Sequence, residues 1–132
     1  MPEVSWIAVL LCGVATLLIG GLWYSPALFA RAWQRETGLS DEQLRSGSVP
    51  LRFGLTFILA LIAAAVFALF IGNQMTIAQA TAAGAACGIA WVAASFGINY
   101  LFEHRSLKHW LINGGYHVVQ FTAFGFIIGA LQ

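Results

Sequence analysis

Four long apolar segments alternate with short polar stretches along the chain. Each segment reaches the roughly 17–25 residues that an α-helix needs to cross the hydrocarbon core of a bilayer. The polar stretches contain nearly all of the charged residues. The pattern therefore predicts four membrane-spanning helices, at about 5–25 (span 1), 51–72 (span 2), 78–100 (span 3) and 110–131 (span 4).

The stretch that follows span 1 predicts a shorter helix. Ser25 and Pro26 are typical of an N-cap and a first helical position, and Phe29 and Trp33 recur at helical spacing. We expect an interfacial helix over about 26–37, with its apolar face toward the lipid. In the alternative interpretation, span 1 kinks at the proline and continues into the cytosol as one helix.

Composition restricts the class of protein. Hydrophobic residues make up 60% of the 132 residues and charged residues only 8%, with a mean hydropathy of +0.82. A soluble domain of this size would need far more charge to cover its surface. We therefore expect a single domain over 1–132, an all-α integral membrane four-helix bundle. The net charge of +1 gives no indication of a nucleic-acid partner.

The basic residues predict the orientation of the bundle. All of them lie in, or border, the connections between spans 1 and 2 and between spans 3 and 4: Arg31, Arg35, Arg45, Arg52, Arg105 and Lys108. The positive-inside rule places these connections in the cytoplasm and both termini outside. The early charge Glu3 is acidic, which argues against a cleavable signal peptide, so span 1 is expected to remain.

Small residues recur on the faces of several spans. Glycine lets helix backbones approach closely in lipid, and spans 3 and 4 each contain a GxxxG pair. Six glycines are expected to mediate helix packing: Gly13, Gly20, Gly84, Gly88, Gly125 and Gly129. Because four short spans bury little surface and two glycine faces are available, we also expect a homo-oligomer or association with a larger membrane complex, surrounded by membrane lipids.

Span 4 contains a polar stripe. Its members fall within an arc of about 100° on a helix that turns about 100° per residue. Polar side chains are costly to expose to lipid, so we expect the stripe to face the bundle interior or a subunit interface. The stripe consists of His109, Asn113, Tyr116, His117 and Gln120.

A polar and aromatic pocket is predicted at the cytoplasmic boundary, where spans 1 and 3 end and span 4 begins. Its expected ligand is a lipid or a small amphipathic molecule. The expected lining residues are Trp23, Tyr24, Asn99, Tyr100, Glu103, Asn113, Tyr116, His117 and Gln120. Three alternatives remain open: contacts that only hold the helices together, proton handling by a histidine beside a carboxylate, and an oligomeric transporter or channel lined by the span 4 stripe.

Catalytic and metal-binding motifs find little support in the sequence. Glu103, His104 and His109 lack the spacing that places two imidazoles on one helix face. No serine or cysteine lies in a nucleophile motif, and Cys12 and Cys87 each lie alone in an apolar run, as packing residues do. We therefore expect no enzymatic activity, no metal and no cofactor.

A short pattern occurs twice. GLWY (21–24) ends span 1 and GINY (97–100) ends span 3, and an arginine and then a tryptophan follow each of them. One interpretation relates spans 1 and 2 to spans 3 and 4 by a pseudo-twofold axis along the membrane normal. The other is chance similarity.

The most distinctive stretches are LWYSPALFARAWQRETGL (22–39), NYLFEHRSLKHWLINGGYHVV (99–119) and GFIIGALQ (125–132). In these stretches the chain resembles the small bacterial membrane proteins grouped as domain of unknown function (DUF) 1761. The resemblance extends over essentially the whole chain, with Ala30-Arg31 where the family pattern tends to have Gly-Lys. It implies a four-span protein of the bacterial inner membrane, and it brings no activity, substrate or catalytic residue.

Overall fold

The computed structural model describes residues 3–132, and within them all regular structure is helical. Four helices are long and apolar enough to cross a membrane, which confirms the predicted fold class and makes the chain a multi-pass membrane protein. Each bound lies within three residues of the predicted one. The spans are Trp6–Trp23 (span 1), Val49–Ile71 (span 2), Ile77–Phe102 (span 3) and Leu107–Leu131 (span 4).

Span 4 lies at the centre of the bundle. It packs along span 3 on one side and on span 1 on the other, and span 2 packs mainly on span 1. Spans 1, 2 and 4 share a buried apolar core away from the charged connections, formed by Ala8, Val9, Cys12, Ala64, Phe67, Ala68, Phe124 and Ile128. The opposite end, which contains the connections 24–48 and 103–106 and all six basic residues, is called the basic end here.

The two GxxxG pairs pack against the facing helix within one chain. A Cβ atom on Gly84 would overlap the carbonyl oxygen of Phe121, and one on Gly125 would overlap that of Ala80. A Cβ atom on Gly88 would lie 2.7 Å from the Cα atom of span 4's Val118. The expectation of an oligomer assumed that these faces were available, and this premise is wrong because spans 3 and 4 already bury them.

The remaining packing glycines also lie at close contacts. A Cβ atom on Gly13 would lie 2.6 Å from the ring of Phe57 in span 2. One on Gly20 would lie 3.2 Å from the hydroxyl of Tyr116, and one on Gly129 would lie 2.9 Å from the Cβ atom of Ala80. The glycines of span 1 therefore contact both neighbouring spans.

Span 3 changes its helical phase halfway along. Its middle segment, Gly88–Ala93, is π-helical, with α-helix on both sides. A π-helical turn contains more residues than an α-helical turn, so the residues beyond it rotate by about one position. As a result Phe96 and Tyr100 point toward span 4, where an uninterrupted α-helix would have placed Ser95 and Asn99.

The helix in the connection after span 1 begins four residues later than predicted, at Ala30. Span 1 ends at Trp23, so the alternative of one continuous helix is wrong. Six residues of turn and bend, 24–29, follow before the loop helix, Ala30–Thr37, which ends at Gly38 with a left-handed φ of 72°. Ser25 does not cap this helix, because its hydroxyl donates a hydrogen bond to the Leu22 carbonyl at 2.7 Å.

Candidate functional site

A single asparagine connects three spans at the basic end. The Tyr24 hydroxyl donates a hydrogen bond to Asn113 Oδ1 at 2.7 Å, and Asn113 Nδ2 donates one to the Tyr100 hydroxyl, also at 2.7 Å. Tyr24 and Tyr100 are the last residues of the two similar motifs GLWY and GINY. This asparagine bridge therefore fixes the ends of spans 1 and 3 to the first turns of span 4.

Two tryptophans reinforce the same contacts through backbone acceptors. Trp23 Nε1 donates to the Ile112 carbonyl at 2.8 Å, and Trp110 Nε1 donates to the Ala93 carbonyl at 2.7 Å. Ala93 is the last residue of the π-helical segment of span 3. Both indole groups satisfy their only donor inside the bundle, as buried tryptophans usually do.

A second hydrogen-bond network lies deeper in the bundle. Tyr116 donates to the Thr16 carbonyl and Gln120 Nε2 donates to Thr16 Oγ1, both at 3.0 Å. His117 Nδ1 lies 2.7 Å from Gln120 Oε1, which can only accept, so Nδ1 carries the proton. Throughout residues 3–132, every fully buried side-chain nitrogen and oxygen has a hydrogen-bond partner.

Aromatic rings surround these two networks. The Phe96 ring stacks on His117 with the ring centroids 5.0 Å apart. Tyr24 contacts Tyr116 edge-on at 5.4 Å and Trp33 of the loop helix at 5.6 Å. The loop helix is held in this position by Ser106, the N-cap of span 4, whose hydroxyl donates to the Glu36 carboxylate at 2.8 Å.

Tyr24 keeps its proton in this environment. Burial raises the pKa of its phenol above the ordinary value, and the neighbouring phenols of Tyr116 and Tyr100 raise it further. The neutral hydroxyl is the form that can donate to Asn113. The Tyr24 hydroxyl therefore remains a donor to Asn113 in the physiological pH range.

Seven of the nine residues expected to line a pocket come together. They are Trp23, Tyr24, Tyr100, Asn113, Tyr116, His117 and Gln120. Asn99 and Glu103 lie elsewhere: Asn99 is exposed, and Glu103 pairs on the surface with Arg105 at 2.9 Å. The π-helical segment turns both away from span 4, and no sequence pattern indicated it.

Two participants were absent from the predicted set. Thr16 lies in the middle of span 1, and its hydroxyl and carbonyl both accept hydrogen bonds from span 4. Phe96 replaces Ser95 because of the phase change in span 3. The polar character of Thr16 in an apolar span could have indicated its role in the network. The sequence contained no comparable indication for Phe96.

An apolar groove lies beside the networks, between the basic ends of spans 1 and 2. Its volume is about 380 Å³, and Tyr24 and Tyr116 form part of its wall. The other lining residues are Thr16, Leu17, Gly20, Gly21, Phe53 and Thr56. Phe53 and Thr56 also line a neighbouring cavity of about 360 Å³ that reaches Arg52. The first cavity is called the span 1–2 groove here, and the second adjoins it at its basic end.

Comparison with known proteins identifies a family for this chain. No curated protein and no solved structure matches the chain. The family model described as "Protein of unknown function (DUF1761)" matches residues 7–129, which is nearly the whole chain. This family carries no assigned activity, and the chain belongs to it.

Proposed function

We propose that this membrane protein binds a lipid or another amphipathic molecule, with the apolar part of the ligand in the span 1–2 groove. The groove itself is the observation that carries this proposal. Its volume of about 380 Å³ lies within the range of about 300–1,000 Å³ that is usual for ligand pockets. We propose a binding role and no catalysis.

The chemistry along the groove suits an amphipathic ligand. Leu17 and Phe53 form apolar walls of the groove, and Arg52 lies at its basic end, next to Phe53 in the first turn of span 2. One Nη atom of Arg52 donates to the Leu44 carbonyl at 3.0 Å, which orients the guanidinium. A chain among the apolar residues would place a polar or anionic headgroup near this arginine.

The alternative of an oligomeric transporter or channel is less well supported. A conducting pathway lined by span 4 would need polar groups that face water. Instead Asn113 forms hydrogen bonds with Tyr24 and Tyr100. Gln120 forms one with Thr16 of span 1 and is only 5% exposed. We therefore propose that the polar stripe holds the walls of the binding site in place.

Filling the groove should weaken binding while leaving the fold intact. A Cβ atom on Gly21 would meet no other group within 4 Å in the described chain, so Gly21→Leu places its side chain in open groove space. We expect about a tenfold loss of occupancy, because ligand and leucine compete for one volume. Occupancy is measured in proteoliposomes with a phosphatidylglycerol that carries a photoactivatable acyl chain. Mass spectrometry after cross-linking gives the amount of lipid attached to Leu17 and Phe53.

Gly54→Leu is the matched control. Gly54 is exposed on span 2, and a Cβ atom there also meets nothing within 4 Å in residues 3–132. Both substitutions exchange a helical glycine for leucine, so their effects on helix propensity cancel. Equal labelling of Leu17 and Phe53 in the Gly21→Leu and Gly54→Leu proteins would show that the groove does not hold the lipid chain.

We further propose that the basic end faces the cytoplasm of a bacterial cell, with both termini outside. The positive-inside rule supports this orientation, since the connections between spans 2 and 3 and the C-terminal end contain no lysine or arginine. An alkaline phosphatase fused after Gln132 should be active, and a green fluorescent protein fused there should be dark. An inactive phosphatase and a fluorescent green fluorescent protein would instead place the C-terminus in the cytoplasm.

A further inference from the structure

A second groove lies on the other side of span 4. It runs between the basic ends of spans 3 and 4 and has a volume of about 390 Å³, close to that of the span 1–2 groove. Its walls include Gly97, Ile98, Tyr100, Arg105, Leu107 and Trp110. Ile98 and Leu107 are more than half exposed, so the groove opens to the lipid side. It is called the span 3–4 groove here.

The two grooves are built from the repeated sequence pattern. The first glycine and the tyrosine of GLWY, Gly21 and Tyr24, line the span 1–2 groove. The corresponding residues of GINY, Gly97 and Tyr100, line the span 3–4 groove. In each case the following span supplies an aromatic residue from its first turns, Phe53 or Trp110. The pattern therefore produces two similar apolar grooves in one chain.

The polar end of the span 3–4 groove is formed by Arg105, which is paired with a carboxylate and keeps free hydrogen-bond donors. Arg105 Nε bonds to the Glu103 carboxylate at 2.9 Å, and the guanidinium lies over the Tyr100 ring, 5.3 Å from its centroid. These contacts fix the plane of the guanidinium. Its two Nη atoms make no hydrogen bond to any residue in 3–132, and the side chain is 41% exposed. Two parallel donors in this geometry match the oxygens of a phosphate group.

We propose that the span 3–4 groove is a second lipid site, selective for an anionic phospholipid. One acyl chain lies between Ile98 and Trp110, and the phosphate accepts hydrogen bonds from the free Nη edge of Arg105. Exposed Lys108, one residue into span 4, adds positive charge nearby. The free Nη donors of Arg105, the charge of Lys108 and the apolar walls favour a phospholipid over an apolar protein helix, which would leave the guanidinium edge without a partner. This site rests on its own contacts and does not require the span 1–2 groove to be occupied.

Native mass spectrometry of the detergent-purified protein, titrated with phosphatidylglycerol, counts the sites. The wild type should retain two lipids. Ala94→Leu, which adds a side chain to an exposed position in the groove wall, should retain one, as should Gly21→Leu. The double variant should retain none. Ala86→Leu, the same exchange at an exposed position of span 3 away from the groove, should retain two.

Selectivity is tested with Arg105→Gln and with phosphatidylcholine, which should bind to the span 3–4 groove more weakly than phosphatidylglycerol; equal affinities would overturn the selectivity. We expect the glutamine variant to bind phosphatidylglycerol about fivefold more weakly at one of its two sites, as removal of one basic group near a membrane surface predicts. Two retained lipids in Ala94→Leu, or an unchanged affinity in Arg105→Gln, would overturn the proposal. So would a protein dimer that forms without lipid and is broken by Ala94→Leu. If only Gly21→Leu loses a lipid, the span 3–4 site is excluded and the span 1–2 site remains supported.

Discussion

Gly84→Ala is expected to lower the free energy of unfolding by about 1–3 kcal/mol or more, the range for overpacked cores. The added methyl group would overlap the carbonyl oxygen of Phe121, and Gly125 of the facing helix lies against the same position. A backbone carbonyl cannot move aside as a flexible side chain can. Spans 3 and 4 must therefore separate, which also weakens their neighbouring contacts.

Gly54→Ala is the control for this substitution. Its methyl group would meet nothing within 4 Å in the described chain, so alanine should stabilise the helix by up to about 1 kcal/mol through its higher propensity. The two substitutions thus have expected effects of opposite sign. Reversible unfolding of the two purified variants in mixed micelles with increasing dodecyl sulfate measures both. A Gly84→Ala protein as stable as Gly54→Ala would show that spans 3 and 4 do not pack through their glycines.

The same comparison distinguishes packing within the chain from packing between chains. A GxxxG pair is equally compatible with dimerisation and with an internal helix contact, so sequence could not decide between them. In the structure Gly84 packs against Phe121 and Gly125 of span 4, and Gly125 packs against Ala80 and Thr81 of span 3. We therefore expect the destabilisation by Gly84→Ala to be independent of protein concentration.

Hydropathy and charge predicted the outline of the molecule because both act over long segments. An apolar run of about 20 residues has few folded alternatives to a membrane helix. Each span ends within three residues of the predicted position. The residues of the asparagine bridge were also predicted to meet, since depth in the membrane places Tyr24, Tyr100 and Asn113 at one level.

Local backbone changes could not be predicted in the same way. The π-helical segment Gly88–Ala93 leaves no recognisable pattern, yet it exchanges Asn99 for Tyr100 at the contact with span 4. Ser25 has the residue type of an N-cap, but its hydroxyl bonds back to span 1 instead. A groove forms where two helices diverge, and the residue periodicity of a single helix gives no information about that divergence.

Asn113 lies between the two grooves, and this position gives it a role beyond packing. Tyr24 lines the span 1–2 groove and Tyr100 lines the span 3–4 groove. Each tyrosine makes a 2.7 Å hydrogen bond to the same asparagine amide. The position of one groove wall is therefore linked to that of the other through a single planar group.

Asn113→Leu is expected to lower the free energy of unfolding by about 1–3 kcal/mol, because it leaves the half-buried Tyr24 and Tyr100 hydroxyls without their partner. Leucine is close in size to asparagine, so the helix contact itself should persist. The unfolding titration described for Gly84→Ala measures the loss. A stability equal to that of the wild type would mean that water or lipid replaces the amide at no cost.

A double-mutant cycle shows whether the bridge acts through its hydrogen bonds. Tyr24→Phe in the Asn113→Leu background should cost less than in the wild type, with a coupling of about 0.6–1.7 kcal/mol, from the average to the largest value measured for hydrogen bonds between membrane helices. Gln120→Leu provides the contrast, because Gln120 bonds to Thr16 and His117 and shares no partner with Asn113. Its cost should be the same in both backgrounds. Additive losses for Tyr24→Phe as well would show that the tyrosine stabilises the bundle only by its ring, and that the two grooves are not linked through the amide.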